Sequence, residues 1–135
     1  MKNYYTIHLM PHKDGYTVTV PDIPGCITEG KSVKEAVDMA RDAINMILVD
    51  LEDDRQPIPQ PSLPERILAP DGAIAALVPV DTDSYRIASD NRAVRKNVSL
   101  PAWMANMVDK RGVNCSQVLQ DALRNLLDVE SMSAS

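Results

Sequence analysis

The chain has 135 residues, of which 44% are apolar and 24% charged, and its formal net charge is −5. This composition is typical of globular proteins, and the length allows one domain with a substantial core or two small domains. No apolar run approaches the roughly 18 residues of a membrane span. The first residues lack the apolar core of a secretory signal, and the cysteines, Cys26 and Cys115, lie far apart. We therefore expect a cytoplasmic protein with no disulfide and no membrane partner.

Charge is distributed unevenly along the chain. Between Glu29 and Glu65 nine acidic residues stand against four basic ones, whereas between Arg86 and Gly112 six basic residues stand against two acidic ones. The negative total argues against a protein that simply coats nucleic acid. An acidic front and a basic back instead indicate two functions, one of them involving phosphate.

The first thirty residues have the alternation of β-strands. "YYTIHL" and "YTVTV" flank the turn "PHKDG" and predict a hairpin, and "CITEG" predicts a short third strand. In this pattern His8 is expected on the exposed face of its strand. A helix of about 20 residues follows, because Ser32 and Glu35 form a capping box ahead of an apolar stripe. That stripe comprises Val33, Val37, Ala40, Ile44, Ile47, Leu48 and Leu51.

Five prolines between residues 57 and 70 resemble an interdomain linker, but the apolar run that follows them argues otherwise. "AIAALVPV" cannot be buried as an isolated strand, so we expect it to return to the first sheet, with Pro79 confining it to an edge or a bulge. The proline segment then crosses the N-terminal domain in an extended form. The polar, turn-rich stretch near residues 83–91 is the better boundary, which gives domains at 1–87 and 91–130.

The remaining chain contains one strand and two helices by pattern. "VRKNVSLP" alternates and ends in Pro101, which suits the start of a helix over residues 102–110. Gly112 ends that helix, and a second one is expected over residues 116–127, capped by Asn114 or Ser116. A module this small has a marginal core, and a lone strand leaves its backbone groups unpaired. Pairing with the same strand of a second chain solves both problems.

Such a two-stranded ribbon fits the DNA major groove. Val98 and Leu100 would face the helices, while Arg95, Asn97 and Ser99 face outward as residue types that bond base edges. The start of the second helix can hold a phosphate on its free N–H groups. Lys96 sits on the inward register, at the strand's end, where a long side chain can bend outward. The predicted phosphate contacts are Arg92, Lys96, Asn114, Cys115 and Ser116.

In this order of strand, proline, two helix stripes and Gly-x-Asn-x-Ser turn, residues 92–128 resemble the ribbon-helix-helix family of dimeric repressors. The resemblance implies that Arg95, Asn97 and Ser99 read bases and that the chain is a homodimer through this domain. A lone helix pair carrying a solvated edge strand is the alternative.

The front half resembles the N-terminal domain of HicB antitoxins in "YTVTVPDIPGCITEGKSVKEAVDMARDAI", with its aromatic strand, "PD-x-PG" loop, "EG-x-[ST]" cap and alanine-rich helix. The resemblance implies an α+β protein, in which a β-β-β-α-β domain like a trimmed ribonuclease H fold precedes the ribbon-helix-helix. It further implies a HicA-like toxin, an mRNA endonuclease, as protein partner and operator DNA as the target of the dimer. Whether contacts between front domains join two such dimers into a tetramer is left open.

An acidic domain suits a basic ribonuclease, so Glu52, Asp53 and Asp54 are candidate toxin contacts, although a solvated, fraying helix end is the favoured explanation of these acids. Two rival functions remain open. One is a stand-alone regulator whose front domain senses a ligand. The other is a nuclease, which the few carboxylates on the predicted strands, Glu29 and the nearby Asp22, make a poor fit. We expect no catalytic residues, metal or cofactor.

Overall fold

The strand alternation of the first thirty residues is realised as an antiparallel meander. A computed structural model describes residues 1–89 and 92–127. In it β1 (Lys2–His12) and β2 (Gly15–Thr19) form the predicted hairpin, and β3 (Ile27–Gly30) pairs with β2. Three short polar–apolar repeats therefore produce the first three strands of the sheet.

The apolar run after the proline segment completes this sheet. β4 (Ile74–Asp81) pairs antiparallel with β1, giving the strand order β3-β2-β1-β4. The prediction that this run returns to the first sheet is confirmed. Pro79 lies on the edge strand, where a missing backbone N–H is tolerated.

β1 is the most deeply buried strand, and one prediction about it is wrong. Tyr5, Ile7 and Leu9 point into the core as expected, but His8, expected to be exposed, is only 5% exposed. The reason is its position: His8 is paired with Thr19 on one side and Ala75 on the other. Neighbouring strands therefore flank His8 on both sides, which the alternation of β1 alone does not reveal.

α1 (Val33–Asp53) covers the other side of the core. Ser32 caps the helix as predicted, since its hydroxyl accepts a hydrogen bond of 3.1 Å from the Glu35 N–H, but the return bond of the capping box goes to the residue before the cap. The Glu35 carboxylate accepts one of 3.3 Å from the Lys31 N–H. The buried face of the helix is formed by Ala36, Ala40, Ile44, Asn45 and Leu48. Val33, at the start of the predicted stripe, is 46% exposed.

The close approach of β3 and α1 explains why a glycine, Gly30, precedes the cap of α1. A Cβ added there would lie 2.4 Å from the Ala36 nitrogen and 2.6 Å from its Cα, so β3 and α1 approach too closely for any side chain. We expect Gly30→Ala to lower the free energy of unfolding by about 1–3 kcal/mol, the usual range for overpacking, measured by urea denaturation. Gly25→Ala is the control, because its φ of +86° is strained but a Cβ there meets nothing within 4 Å. A Gly30→Ala loss no greater than that of Gly25→Ala would contradict the close-packing explanation.

The proline segment belongs to the N-terminal unit, as predicted. The Tyr5 hydroxyl donates a hydrogen bond of 2.5 Å to the Pro59 carbonyl. The Asp22 carboxylate accepts bonds from the Ser62 N–H at 2.8 Å and the Ser62 hydroxyl at 2.6 Å. A 3-10 turn at Pro64–Arg66 follows. These bonds fasten the segment to the strands.

The stretch predicted as a turn-rich boundary is instead α2 (Thr82–Ser89). Asp81 caps this helix, because its carboxylate accepts hydrogen bonds from the Ser84 N–H at 3.2 Å and the Ser84 hydroxyl at 2.9 Å. Burial raises the pKa of Asp81, but these two bonds and the nearby Lys2 outweigh it and lower the pKa overall. The polar residues that suggested a turn are therefore those of a capped helix.

The chain divides into two compact units, Met1–Arg86 and a second that begins at Ile87. The second unit contains α3 (Ala102–Arg111) and α4 (Cys115–Leu127), close to the predicted helices. The limits 91 and 128–130 of the predicted second domain lie outside the described residues.

The turn between α3 and α4 follows the predicted chemistry. Gly112 ends α3 with a φ of +63°, and the Asn114 side chain accepts a bond of 3.1 Å from the Gln117 N–H. Asn114 is therefore the cap, and Ser116 lies inside the helix. The predicted strand ahead of α3 does not form: residues 93–100 join none of the sheets in the described part of the single chain. A lone strand has no partner here.

Candidate DNA- and protein-binding surfaces

The second unit lacks a closed core of its own. None of its described residues is buried, and large apolar side chains are exposed on both helices. A groove of about 390 Å³ opens on this apolar surface. It is lined by Lys96, Val98, Leu100, Met104, Val108, Val113, Cys115, Ser116, Val118, Leu119 and Ala122. An apolar surface of this kind, unfilled in the single chain, is characteristic of an interaction site.

The segment ahead of α3 places alternate residues in two settings. Lys96, Val98 and Leu100 line the groove, as their register predicts. Arg95, Asn97 and Ser99 are exposed and are not among the groove residues. The lining therefore follows the alternation of a strand although no strand is formed, and the three predicted base-reading residues lie outside the groove.

The C-terminal unit contains both positively charged side chains and the N-terminal end of a helix. Lys110 and Arg111 occupy the last turn of α3, and α4 begins at Cys115 after the cap of Asn114. The first N–H groups of a helix have no partner within the helix and suit an anion. The Asn114 side-chain oxygen is occupied as the cap, so a phosphate would meet backbone N–H groups around Cys115 and Ser116.

Two of the three acids predicted to contact the toxin, Glu52 and Asp53, have partners inside the N-terminal unit. Arg86 donates to Glu52 at 3.2 Å and to Asp53 at 2.8 Å. Glu52 also accepts a bond of 3.1 Å from the buried Thr82 hydroxyl. The Glu52 side chain is 24% exposed and that of Asp53 59%, while Asp54 is exposed at the end of α1.

Hydrogen bonds to Asp53 and Glu52 raise the pKa of the Arg86 guanidinium. This cluster joins the end of α1 to α2 and was not predicted from the sequence. Its acids therefore stabilise the fold locally, and Asp53 and Asp54 remain accessible to a partner.

Two other chemically reactive side chains, Asp22 and Cys26, belong to the framework of the N-terminal unit. Asp22, considered for a nuclease site, holds Ser62, and burial raises the pKa of the Cys26 thiol. Across residues 1–89 and 92–127, no cluster of three His, Cys, Asp or Glu side chains could hold a metal ion. None of the helices in those ranges has the length and apolarity needed to cross a membrane.

Comparison with known proteins identifies the family to which the chain belongs. Residues 5–122 match the family model of the HicB-like antitoxins of bacterial toxin–antitoxin systems, a span that includes described parts of both units. The chain belongs to the HicB-like antitoxin family. The predicted resemblance to HicB antitoxins is thereby confirmed at the level of the family, and the protein is an antitoxin with a mixed α+β fold.

Relatives of this HicB-like antitoxin include an uncharacterised 14.9 kDa protein of Haemophilus phage HP1. The two are 28% identical over 107 residues, which cover 78% of this chain and 79% of that one. A UPF0150 protein of Thermoplasma acidophilum is 37% identical over 62 residues, or 45% of this chain and 90% of that one.

Among solved structures, the Burkholderia pseudomallei antitoxin HicB is 28% identical, with a TM-score of 0.56. The match covers 90% of this HicB-like antitoxin and 96% of that chain. A chain of a toxin–antitoxin complex from Streptococcus pneumoniae, 22% identical with a TM-score of 0.57, shares the fold. That match covers 93% of this chain and 99% of the other.

Proposed function

We propose that this antitoxin neutralises a HicA-like mRNA endonuclease through residues 1–87 and represses its own operon through residues 91–130, which bind operator DNA as a homodimer. The observation that carries the DNA-binding half is the apolar groove of a unit in which no described residue is buried. A second copy would fill it and supply the strand that residues 93–100 lack.

In the paired form the segment is a two-stranded antiparallel ribbon. The groove residues Val98 and Leu100 lie beneath it, and Arg95, Asn97 and Ser99 point from its other face into the major groove of DNA. Arg92, Lys96 and the N–H groups at the start of α4 contact phosphates. This is the ribbon-helix-helix arrangement, and it makes the homodimer the unit that reads the operator.

Two observations support the proposed toxin binding: membership of the antitoxin family and the acidic charge of the N-terminal unit. A solved relative is described as a complex of the HicA3 toxin and HicB3 antitoxin; it is 25% identical and covers 58% of this chain. Nine acidic residues between Glu29 and Glu65 give the N-terminal unit a surface suited to a basic toxin. Asp53 and Asp54 are the most exposed of the proposed contacts, whereas Glu52 is largely engaged with Arg86 and Thr82.

Arg95→Ala separates the two activities. Loss of one bidentate base contact should weaken operator binding by about 1–3 kcal/mol and relax the preference for operator over random DNA. The variant should still co-purify with the neighbouring gene product and rescue growth when that product is expressed. Titration of labelled operator and random duplexes at fixed salt measures the first effect, and a growth assay the second.

Lys110→Ala is the matched control, because it removes one positive charge from the same unit outside the predicted ribbon. Equal loss by Arg95→Ala on operator and random DNA would make Arg95 a phosphate contact. If the wild-type chain failed to rescue growth and instead bound a small ligand, the ligand-sensing alternative would replace the antitoxin mechanism.

A further inference from the structure

A cleft of about 490 Å³ opens beside the end of β4, and every residue that lines it lies within the N-terminal unit, Met1–Arg86. Its walls come from α1, from the end of β4 and from the first turns of α2. The lining residues are Arg41, Asn45, Pro79, Asp81, Ser84 and Tyr85. Sites for small molecules are typically concave and largely apolar, with a few polar groups that fix the orientation of the ligand. This cleft contains both kinds of group.

Asn45 supplies a buried acceptor to this cleft. It is 6% exposed and lies on the buried face of α1 with the apolar residues Ala40, Ile44 and Leu48. Its side-chain oxygen finds no hydrogen-bond donor among the described residues. Asparagine is a poor helix former, and buried acceptors are normally satisfied. An asparagine at this position is explained if a donor from outside the chain reaches its oxygen through the cleft.

Two side chains of opposite charge border the same cleft. Arg41 is half-exposed on α1, and its acidic neighbour Asp38, at 3.9 Å, is already bound by Lys34 at 2.9 Å. A guanidinium has several N–H donors in a fixed plane, so that of Arg41 retains donors for a carboxylate. Asp81 accepts bonds from the N–H and the hydroxyl of Ser84, but each carboxylate oxygen can accept a further bond. The cleft therefore offers one cationic donor and one anionic acceptor.

These charges determine which ligand fits. A simple anion would be attracted by Arg41 but repelled by Asp81, and a simple cation would meet the reverse. A neutral apolar molecule would desolvate both charged groups without replacing the hydrogen bonds that water gives them. A free α-amino acid has a carboxylate and an ammonium group on one carbon, so it complements both charges at once. The apolar walls, Pro79 and the ring of Tyr85, then favour a large apolar side chain.

We propose that this cleft binds a free α-amino acid with a large apolar side chain. Arg41 donates to the carboxylate of the ligand, and Asp81 and the Asn45 side-chain oxygen accept hydrogen bonds from its ammonium group. Pro79 and Tyr85 contact its side chain. None of the residues proposed to contact the toxin or the operator lines this cleft, so the site adds a binding activity to those of the proposed function.

Calorimetric titration of the full-length chain with L-phenylalanine, and with L-leucine as a second probe, tests the proposal. We expect one saturable site per chain and a melting temperature that rises with ligand concentration, because a ligand that binds the folded chain stabilises it. Phenylpropionate lacks the ammonium group and phenethylamine lacks the carboxylate. Each should bind at least about tenfold more weakly, the usual loss when a hydrogen bond to a charged group is removed. Equally tight binding of either analogue, or no binding of both amino acids at millimolar concentration, overturns the proposal.

Variants locate the binding in the cleft. Arg41→Gln should weaken phenylalanine binding at least about tenfold, and Arg66→Gln is the matched control, because Arg66 is an exposed arginine of the same unit outside the cleft. Asn45→Leu should also lose binding, yet melt no lower than the wild type, since it removes a buried acceptor that lacks a donor. Both cleft variants should still rescue growth and bind the operator, which separates this site from the proposed function. Wild-type affinity of folded Arg41→Gln overturns the proposal. Loss of toxin co-purification by Arg41→Gln, with no amino acid bound by the wild type, would assign the cleft to the toxin and overturn it equally.

Discussion

Replacing Leu119 by aspartate should abolish operator binding. Leu119 is 37% exposed in the single chain and lines the apolar groove of the C-terminal unit. In the proposed homodimer it becomes buried against the partner, and an unpaired carboxylate in an apolar contact costs several kcal/mol. We expect affinity for the operator to fall by at least about 100-fold, since each tenfold corresponds to about 1.4 kcal/mol.

Gln120→Asp is the control for Leu119→Asp, because it adds the same charge one residue away, at an exposed position outside the groove. It should bind the operator nearly as well as the wild type. Electrophoretic mobility shift gives the affinity, and sedimentation velocity gives the accompanying loss of C-terminal pairing. Full operator binding by folded Leu119→Asp would show that the groove is not the dimer interface.

Deleting residues 91–135 should remove operator binding completely and leave toxin neutralisation intact. The truncated chain retains the sheet, α1, the proline segment and the cluster of Arg86 with Glu52 and Asp53. The solved N-terminal domain of the Burkholderia pseudomallei antitoxin HicB, 34% identical with a TM-score of 0.51, corresponds to 58% of this chain. A domain of this size therefore stands as a structure of its own in a relative.

Growth rescue during expression of the toxin measures neutralisation by the truncated chain, at expression levels matched by immunoblot. Operator titration should give only background binding. A soluble, folded truncation that cannot rescue growth would show that the toxin also requires the C-terminal unit. The proposed division of the two activities would then be wrong, even if Arg95→Ala and Leu119→Asp behaved as expected.

The elements whose signals are local in sequence were predictable. The hairpin of β1 and β2, the Ser32 cap of α1, and the Gly112 end of α3 each depend on residues a few positions apart. β4 was predictable because an apolar run without a partner must join an existing sheet.

Features that depend on distant residues were missed. The burial of His8 results from two neighbouring strands, one of which begins more than sixty residues later. The acids at the end of α1 looked like a fraying helix end, because their partners, Thr82 and Arg86, lie about thirty residues away in a stretch that was interpreted as a turn. The cap of Asp81 on Ser84 was the available signal for α2.

The candidate DNA-binding residues illustrate a different limit. The alternation that assigns Val98 and Leu100 to one side and Arg95, Asn97 and Ser99 to the other is visible in the sequence, and the groove lining follows it. The strand itself requires a second chain, so a single chain shows the alternation without the hydrogen bonds. Their roles in reading bases remain a prediction, tested by Arg95→Ala.

The open groove of the C-terminal unit has a consequence for how the two proposed activities depend on the concentration of the protein. When two copies must meet before the DNA-reading surface exists, the concentration of that surface rises at low expression with the square of the antitoxin concentration. The proposed neutralisation of a toxin by the N-terminal unit would need only a single chain and would rise in proportion to the antitoxin concentration. As the antitoxin level falls, the promoter should therefore be released before the toxin is, so that new antitoxin is made while the existing toxin is still held.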